Sequence, residues 1–123
     1  MTSSISAITF DCDNALTLSS FWGEVLGVAP DPDASNSGAF FQSIGRTADG
    51  WSGPIMMFIK VPEGKTAKNR VHLDMHTDDR PAEVARLVAL GATEVHDKDE
   101  YGTVWTTLQD PEGNEFCVTD TEH

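Results

Sequence analysis

A chain of 123 residues is long enough to bury one core of ordinary size and too short for two independent ones. Its 20 Asp and Glu against 8 Lys and Arg give a net charge of -12, which argues against nucleic acid and other partners held by phosphate neutralisation. No apolar run is long enough to span a membrane, and Met1-Thr2-Ser3-Ser4 lacks the basic start of a signal peptide, so a cytoplasmic protein without a membrane partner is expected.

The first strand is predicted over Ile5 to Cys12. Asn14 then suits a helix N-cap, because Leu18, Phe21, Trp22 and Val25 follow at helical spacing and Gly27 stands where a C-terminal glycine belongs. After Pro30 to Gly38, a polar stretch expected to be irregular, two more strands are predicted at Ala39 to Ile44 and Pro54 to Val61. Pro62 to Arg70 is polar, interrupted by Pro and Gly, and carries Lys65, Lys68 and Arg70. It reads as a linker, either merely solvated or an anion site.

The second half follows the same plan. Val71 to Thr77 is a strand, Asp78 or Asp79 caps a helix with Pro81 in its first turn and Val84, Leu87 and Val88 on its apolar face, and Gly91 ends it. Strands at Thr103 to Leu108 and Glu115 to Val118 flank Asp110-Pro111-Glu112-Gly113, whose proline and glycine suit a turn. Asn14 and Asp79 stand 65 residues apart, about half the chain, which implies a duplicated module. Cys12 and Cys117, distant in sequence and each on an apolar strand, are expected to be free thiols.

Alternation along a strand puts His72, Asp74 and His76 on one face, and Glu115 opens the last strand. If those strands are neighbours, an imidazole and a carboxylate converge, which suits a metal or acid-base site. Asp74 is near enough to His72 to lean in as a third group, whereas His76 lies too far along the strand.

Together, in order and over almost the whole chain, several segments resemble the vicinal oxygen chelate superfamily, specifically its glyoxalase-like (glyoxalase/bleomycin resistance/dioxygenase) members. They are Phe21-Trp22-Gly23-Glu24-Val25-Leu26-Gly27, Asn69-Arg70-Val71-His72-Leu73-Asp74, Leu90-Gly91-Ala92 and Leu108-Gln109-Asp110-Pro111-Glu112-Gly113-Asn114-Glu115-Phe116. The resemblance implies an α+β fold of two βαβββ modules, about 4–61 and 71–120 with a linker at 62–70, forming one domain. Their curved, barrel-like mixed sheet would surround a central cavity, commonly within a homodimer.

Metal-dependent members place one ligand on the first strand and one on the last strand of each module. His72 and Glu115 match those positions in module two. The repeat sets Ala7 against His72, and matching Phe58 to Phe116 sets Met57 against Glu115; neither can hold a hard or borderline divalent ion. Half of the family's metal site is therefore missing, which argues against ordinary glyoxalase I activity.

Three readings of His72 and Glu115 stay open. They hold one divalent metal ion of unknown identity as a Lewis acid for a lyase, isomerase or dioxygenase; they act without metal as acid, base or hydrogen-bonding anchors; or they are paired polar residues without chemistry. A metal cofactor and none are equally open. The ligand is expected to be a small organic molecule, gripped in addition by Trp51, Trp105, Phe41, Met57, Asp74 and Asp11. Of these, Trp51 in its glycine-flanked loop is the strongest contact candidate. The alternative to an enzyme is a metal-free protein that resembles the family's antibiotic-sequestering members.

Overall fold

The computed structural model describes residues 1–120. The chain divides into two compact units, Met1–Gly64 and the segment that begins at Lys65.

In the first unit β1 (Ala7–Cys12), α1 (Ala15–Leu26), β2 (Phe41–Ile44) and β3 (Ile55–Lys60) build a three-stranded sheet of order β1-β3-β2, with β1 parallel and β2 antiparallel to β3. Asn14 caps α1 as its sequence position requires: its side-chain oxygen accepts from the N–H groups of Leu16 and Thr17 at 3.0 and 3.1 Å. Gly27 ends the helix in the left-handed region, φ 69°. Leu18, Phe21 and Trp22 are buried from α1, Ile44 and Phe58 from the sheet. The tilted Phe10–Trp22 contact at 5.5 Å joins sheet to helix, extended by Phe10–Phe58 at 5.2 Å within the sheet and an edge contact, Phe21–Trp22 at 5.5 Å, within α1.

The second unit contains β4 (Leu73–Thr77), α2 (Arg80–Leu90), β5 (Thr93–Glu100), β6 (Thr103–Gln109) and β7 (Glu115–Asp120) in the order β4-β7-β6-β5, with β4 parallel to β7 and the remaining pairs antiparallel. Asp79 caps α2 through the N–H of Ala82 at 3.1 Å. Val84 and Leu87 of α2 are buried, as are Leu108, Phe116 and Val118 of the sheet. Alternation therefore sets the even-numbered residues of β6 and β7 toward the core and the odd-numbered ones on the opposite face. A polar tie fixes the helix start: the Arg80 guanidinium donates to Thr106 Oγ1 at 2.7 Å, Thr106 donates to Asp97 at 2.6 Å, and the Arg80 N–H donates to Asp120 at 2.7 Å.

The α+β class is as expected, with two corrections. The first unit is βαββ rather than βαβββ, and the strands form sheets of three and four members, neither closed into a barrel. Where module one would carry its remaining strand, Asp31 and Asp33 organise a loop. The Asp31 carboxylate accepts from Ser43 Oγ at 2.7 Å, the Arg46 N–H at 3.0 Å, and the N–H and hydroxyl of Thr47, both at 3.1 Å. Asp33 accepts from the N–H groups of Ser37 and Gly38 and from the Gln42 amide. The stretch from Pro30 to Gly38 is irregular, as expected: the Asp33 side chain takes the Ser37 and Gly38 N–H groups, and the Asn36 and Asp31 N–H groups go to the carbonyls of Asp33 and Ser43. No helix among the described residues is long and apolar enough to cross a membrane.

Candidate functional site

The odd-numbered face of the second unit's sheet lines an open cavity of about 880 Å³. Trp105, Thr107 and Gln109 reach it from β6, Glu115, Cys117 and Thr119 from β7. His72 and Asp74 enter from β4 and the residue before it, and Lys65 and Lys68 from the preceding loop. Beyond β6, β5 supplies Lys98 and joins β6 through Tyr101 and Gly102, both at positive φ (56° and 75°), the pattern of a tight two-residue hairpin.

The His72 Nε2 lies 3.4 Å from Asp74 Oδ1. Asp74 is the register partner of Cys117 on the neighbouring parallel strand. Ligand atoms of His72, Asp74 and Cys117 all fall within 4.8 Å of one another, the one such convergence of three His, Cys, Asp or Glu residues among the described residues. Cys117 is buried and, like the buried Cys12, forms no disulfide among the described residues, and its sulfur sits 3.4 Å from Thr107 Oγ1. Burial pushes the Cys117 thiol up, and the Asp74 carboxylate adds to the effect, against the Thr107 hydrogen bond and the Lys68 charge. A raised thiol is a poor nucleophile in the metal-free state.

Glu115 faces the cavity but is not part of that cluster. Its Oε1 accepts from the Lys65 ammonium at 2.8 Å and from the Asn69 N–H at 2.9 Å. Lys65 also donates to the Ala67 carbonyl. Burial disfavours the Glu115 carboxylate, yet the Lys65 and Asn69 hydrogen bonds and the ammonium charge outweigh it, and the carboxyl is held below its ordinary value. Glu115 Oε2 is buried with no hydrogen-bond partner among the described residues. As a divalent-metal site His72 and Glu115 do not fit: an ammonium already holds one oxygen of the carboxylate, and Glu115 lies outside the convergent set.

The other sequence candidates are placed as follows. Trp105 is half-buried in the cavity wall. Trp51 lies in the first unit, where its ring packs against the backbone of Gly45 and Gly53 so closely that a Cβ at either would approach it to 2.5 and 3.0 Å, and its indole N–H donates to the Pro54 carbonyl at 3.1 Å. The glycines around Trp51 thus have a packing explanation. Phe41 borders a smaller concavity beside Asp31, Met57 accepts from the Arg46 guanidinium at 3.3 Å through sulfur, and Asp11 is exposed on β1. His76 is exposed on β4 and does not line the larger cavity.

The strand register also changes one pairing between the modules. Leu73 pairs with Phe116, and Ile8, which the repeat sets against Leu73, pairs with Met56. Ile55, not Met57, is therefore the counterpart of Glu115, and its side chain has no donor atom at all. Sequence reasoning missed Lys65 as a site residue, because the residue it holds lies fifty positions away. Cys117 lines the cavity, as its alternation with Glu115 implies, while sequence reasoning assigned it no part as a nucleophile.

A family model described as a glyoxalase-like domain matches residues 7–119. A crystal structure of a glyoxalase/bleomycin resistance protein/dioxygenase family enzyme from Burkholderia phytofirmans PsJN is similar over 98% of this chain and 100% of that one, with TM-score 0.73 and 18% identity. A glyoxalase-related enzyme from Fulvimarina pelagi is similar over 98% and 89%, with TM-score 0.72 and 16% identity. The corresponding figures for a lactoylglutathione lyase from Agrobacterium tumefaciens are 97% and 94%, 0.65 and 16%. At these identities the likeness concerns the fold alone. No curated protein matches the chain.

Proposed function

This chain belongs to the glyoxalase-like domain family of the vicinal oxygen chelate superfamily, and on that premise we propose that it binds a small organic molecule on the odd-numbered face of the β4-β7-β6-β5 sheet. The carrying observation is the cavity of about 880 Å³, which combines the half-buried Trp105 with a few convergent polar groups, as small-molecule sites do.

Charge narrows the ligand class. The chain as a whole is strongly acidic, yet Lys68 and Lys98 line the cavity and neither has an ion pair among the described residues. A ligand with a flat apolar body and one anionic group matches Trp105 together with the ammonium groups of Lys98, its register partner on β5, and of Lys68. His72 and Gln109 supply further hydrogen-bonding groups. Glu115 acts through Lys65, holding the loop before β4 against the cavity edge.

This reading favours a metal-independent role for the His72 and Glu115 pair over a lyase, isomerase or dioxygenase that uses them as metal ligands, because Lys65 supplies the cation that Glu115 faces. The homodimer implied by the resemblance belongs to the same proposal and is tested by sedimentation equilibrium. The direct test is a melting-temperature screen of planar aromatic carboxylates against wild type, Trp105→Ala and Lys68→Met/Lys98→Met. Stabilisation of wild type that is lost in both variants supports the reading; no shift for any compound, or shifts equal in all three proteins, overturns it.

A further inference from the structure

We propose that His72, Asp74 and Cys117 form a three-ligand site for a borderline divalent cation, zinc above all. The site stands apart from the small-molecule reading, since an ion can bind whether or not the cavity takes an organic ligand. It also stands apart from the pair implied by family resemblance: it keeps His72 but moves two residues along each strand, from the Glu115 position to Cys117 and from His72 to Asp74.

Topology brings the three together. β4 and β7 are parallel neighbours, Asp74 and Cys117 are register partners, and so their side chains leave the sheet on the same face. His72 joins them from the residue before β4, its Nε2 3.4 Å from Asp74 Oδ1. Tetrahedral zinc with bonds of about 2.0–2.3 Å sets its ligand atoms about 3.3–3.8 Å apart. The His72–Asp74 separation already meets this, and the whole set lies within 4.8 Å. The remaining closure falls to His72 and Asp74, whose side chains are 44% and 66% exposed and free to turn toward a fixed thiol.

The donor set selects the ion. One imidazole, one carboxylate and one thiolate are the borderline-soft mixture that suits zinc, and calcium or magnesium would reject the sulfur. Binding replaces the Cys117 proton, which leaves to solvent, with the metal. The carboxylate and thiolate then balance the two charges of the ion in a partly buried place. Thr107 Oγ1, 3.4 Å from the sulfur, can donate to the thiolate and so orient it. Three protein ligands leave a fourth position facing the cavity, the arrangement of an open rather than a closed zinc site.

The test is titration of the chelator-stripped full chain with cobalt(II), followed by displacement with zinc. Expected are one equivalent of bound cobalt, visible bands of tetrahedral cobalt, a near-ultraviolet sulfur-to-cobalt charge-transfer band, and loss of all of these on adding zinc. Cys117→Ser removes the charge-transfer band, and Asp74→Asn weakens cobalt affinity at least tenfold. Because Asp74 is exposed, that variant keeps the test decisive where the buried Cys117→Ser fails to fold. No charge-transfer band at millimolar cobalt overturns the proposal. So does a band that survives in Cys117→Ser, or cobalt binding lost in Glu115→Gln and kept in Asp74→Asn.

Discussion

The Lys65 ammonium and Glu115 Oε1 are 2.8 Å apart, with both side chains mostly buried. This contact turns a loop that reads as a solvated linker into part of the cavity wall. It also gives the one charged residue at the start of β7 an internal counter-ion.

Lys65→Met leaves the Glu115 carboxylate facing one backbone N–H instead of an ammonium as well. Uncompensated burial of that charge is expected to destabilise the protein by about 1–3 kcal/mol, read from urea unfolding. Glu115→Gln in the Lys65→Met background is expected to recover part of the loss. A double mutant no more stable than Lys65→Met alone would count against the pairing as the source of the effect.

Acid is expected to weaken the fold through Asp31 and Glu115. Both carboxyls are held below their ordinary values of 3.8 and 4.5 in the folded chain. For Asp31 burial opposes the charged form, and the hydrogen bonds from Ser43, Arg46 and Thr47 outweigh it. A group with a lowered folded value stabilises fully above its unfolded pKa, and that contribution is lost as pH falls through the folded value. Stability should therefore fall on acidification from about pH 5 downward. Asp31→Asn should flatten that slope, as measured by chemical unfolding across pH.

The same Asp31→Asn change is expected to loosen the loop that stands in place of module one's missing strand. The neutral amide no longer offers two acceptor oxygens to the donors of Ser43, Arg46 and Thr47. A cost of about 1–3 kcal/mol at neutral pH is expected, with faster amide exchange at Arg46 and Thr47.

Gly45→Ala tests the packing of Trp51. Gly45 has φ +99°, and a Cβ there would lie 2.5 Å from the indole ring. Backbone strain of about 1–3 kcal/mol adds to displacement of the ring, so both the melting temperature and the Trp51 contribution to fluorescence are expected to change. Unaltered stability would mean that the ring is not seated there.

What the sequence made legible were features with short-range causes. Asn14 and Asp79 cap their helices, and Gly27 and Gly91 end them, because the donors involved lie within a few residues. The alternation around His72 and Glu115 likewise located one sheet face. β5 was not legible: Thr93–Glu100 has a single strongly apolar residue, Val95, is exposed throughout, and exists as a strand through its ladder to β6. The absence of a counterpart in module one depends on Asp31 reaching Ser43, Arg46 and Thr47, contacts of 12 to 16 residues that no local pattern announces. The lysine on Glu115 was hidden for the same reason at longer range.

The central claim, that the odd-numbered face of the second sheet is the ligand site, is tested most directly by mapping amide and side-chain NMR shifts while a stabilising aromatic carboxylate is added. The expected result is a saturable set of shifts confined to Lys65–Asp74, Val95–Gln109 and Glu115–Thr119, with the Trp105 indole among the largest. Shifts centred on Asp31, Phe41 and Trp51, with the Trp105 and Cys117 signals unmoved, would contradict it.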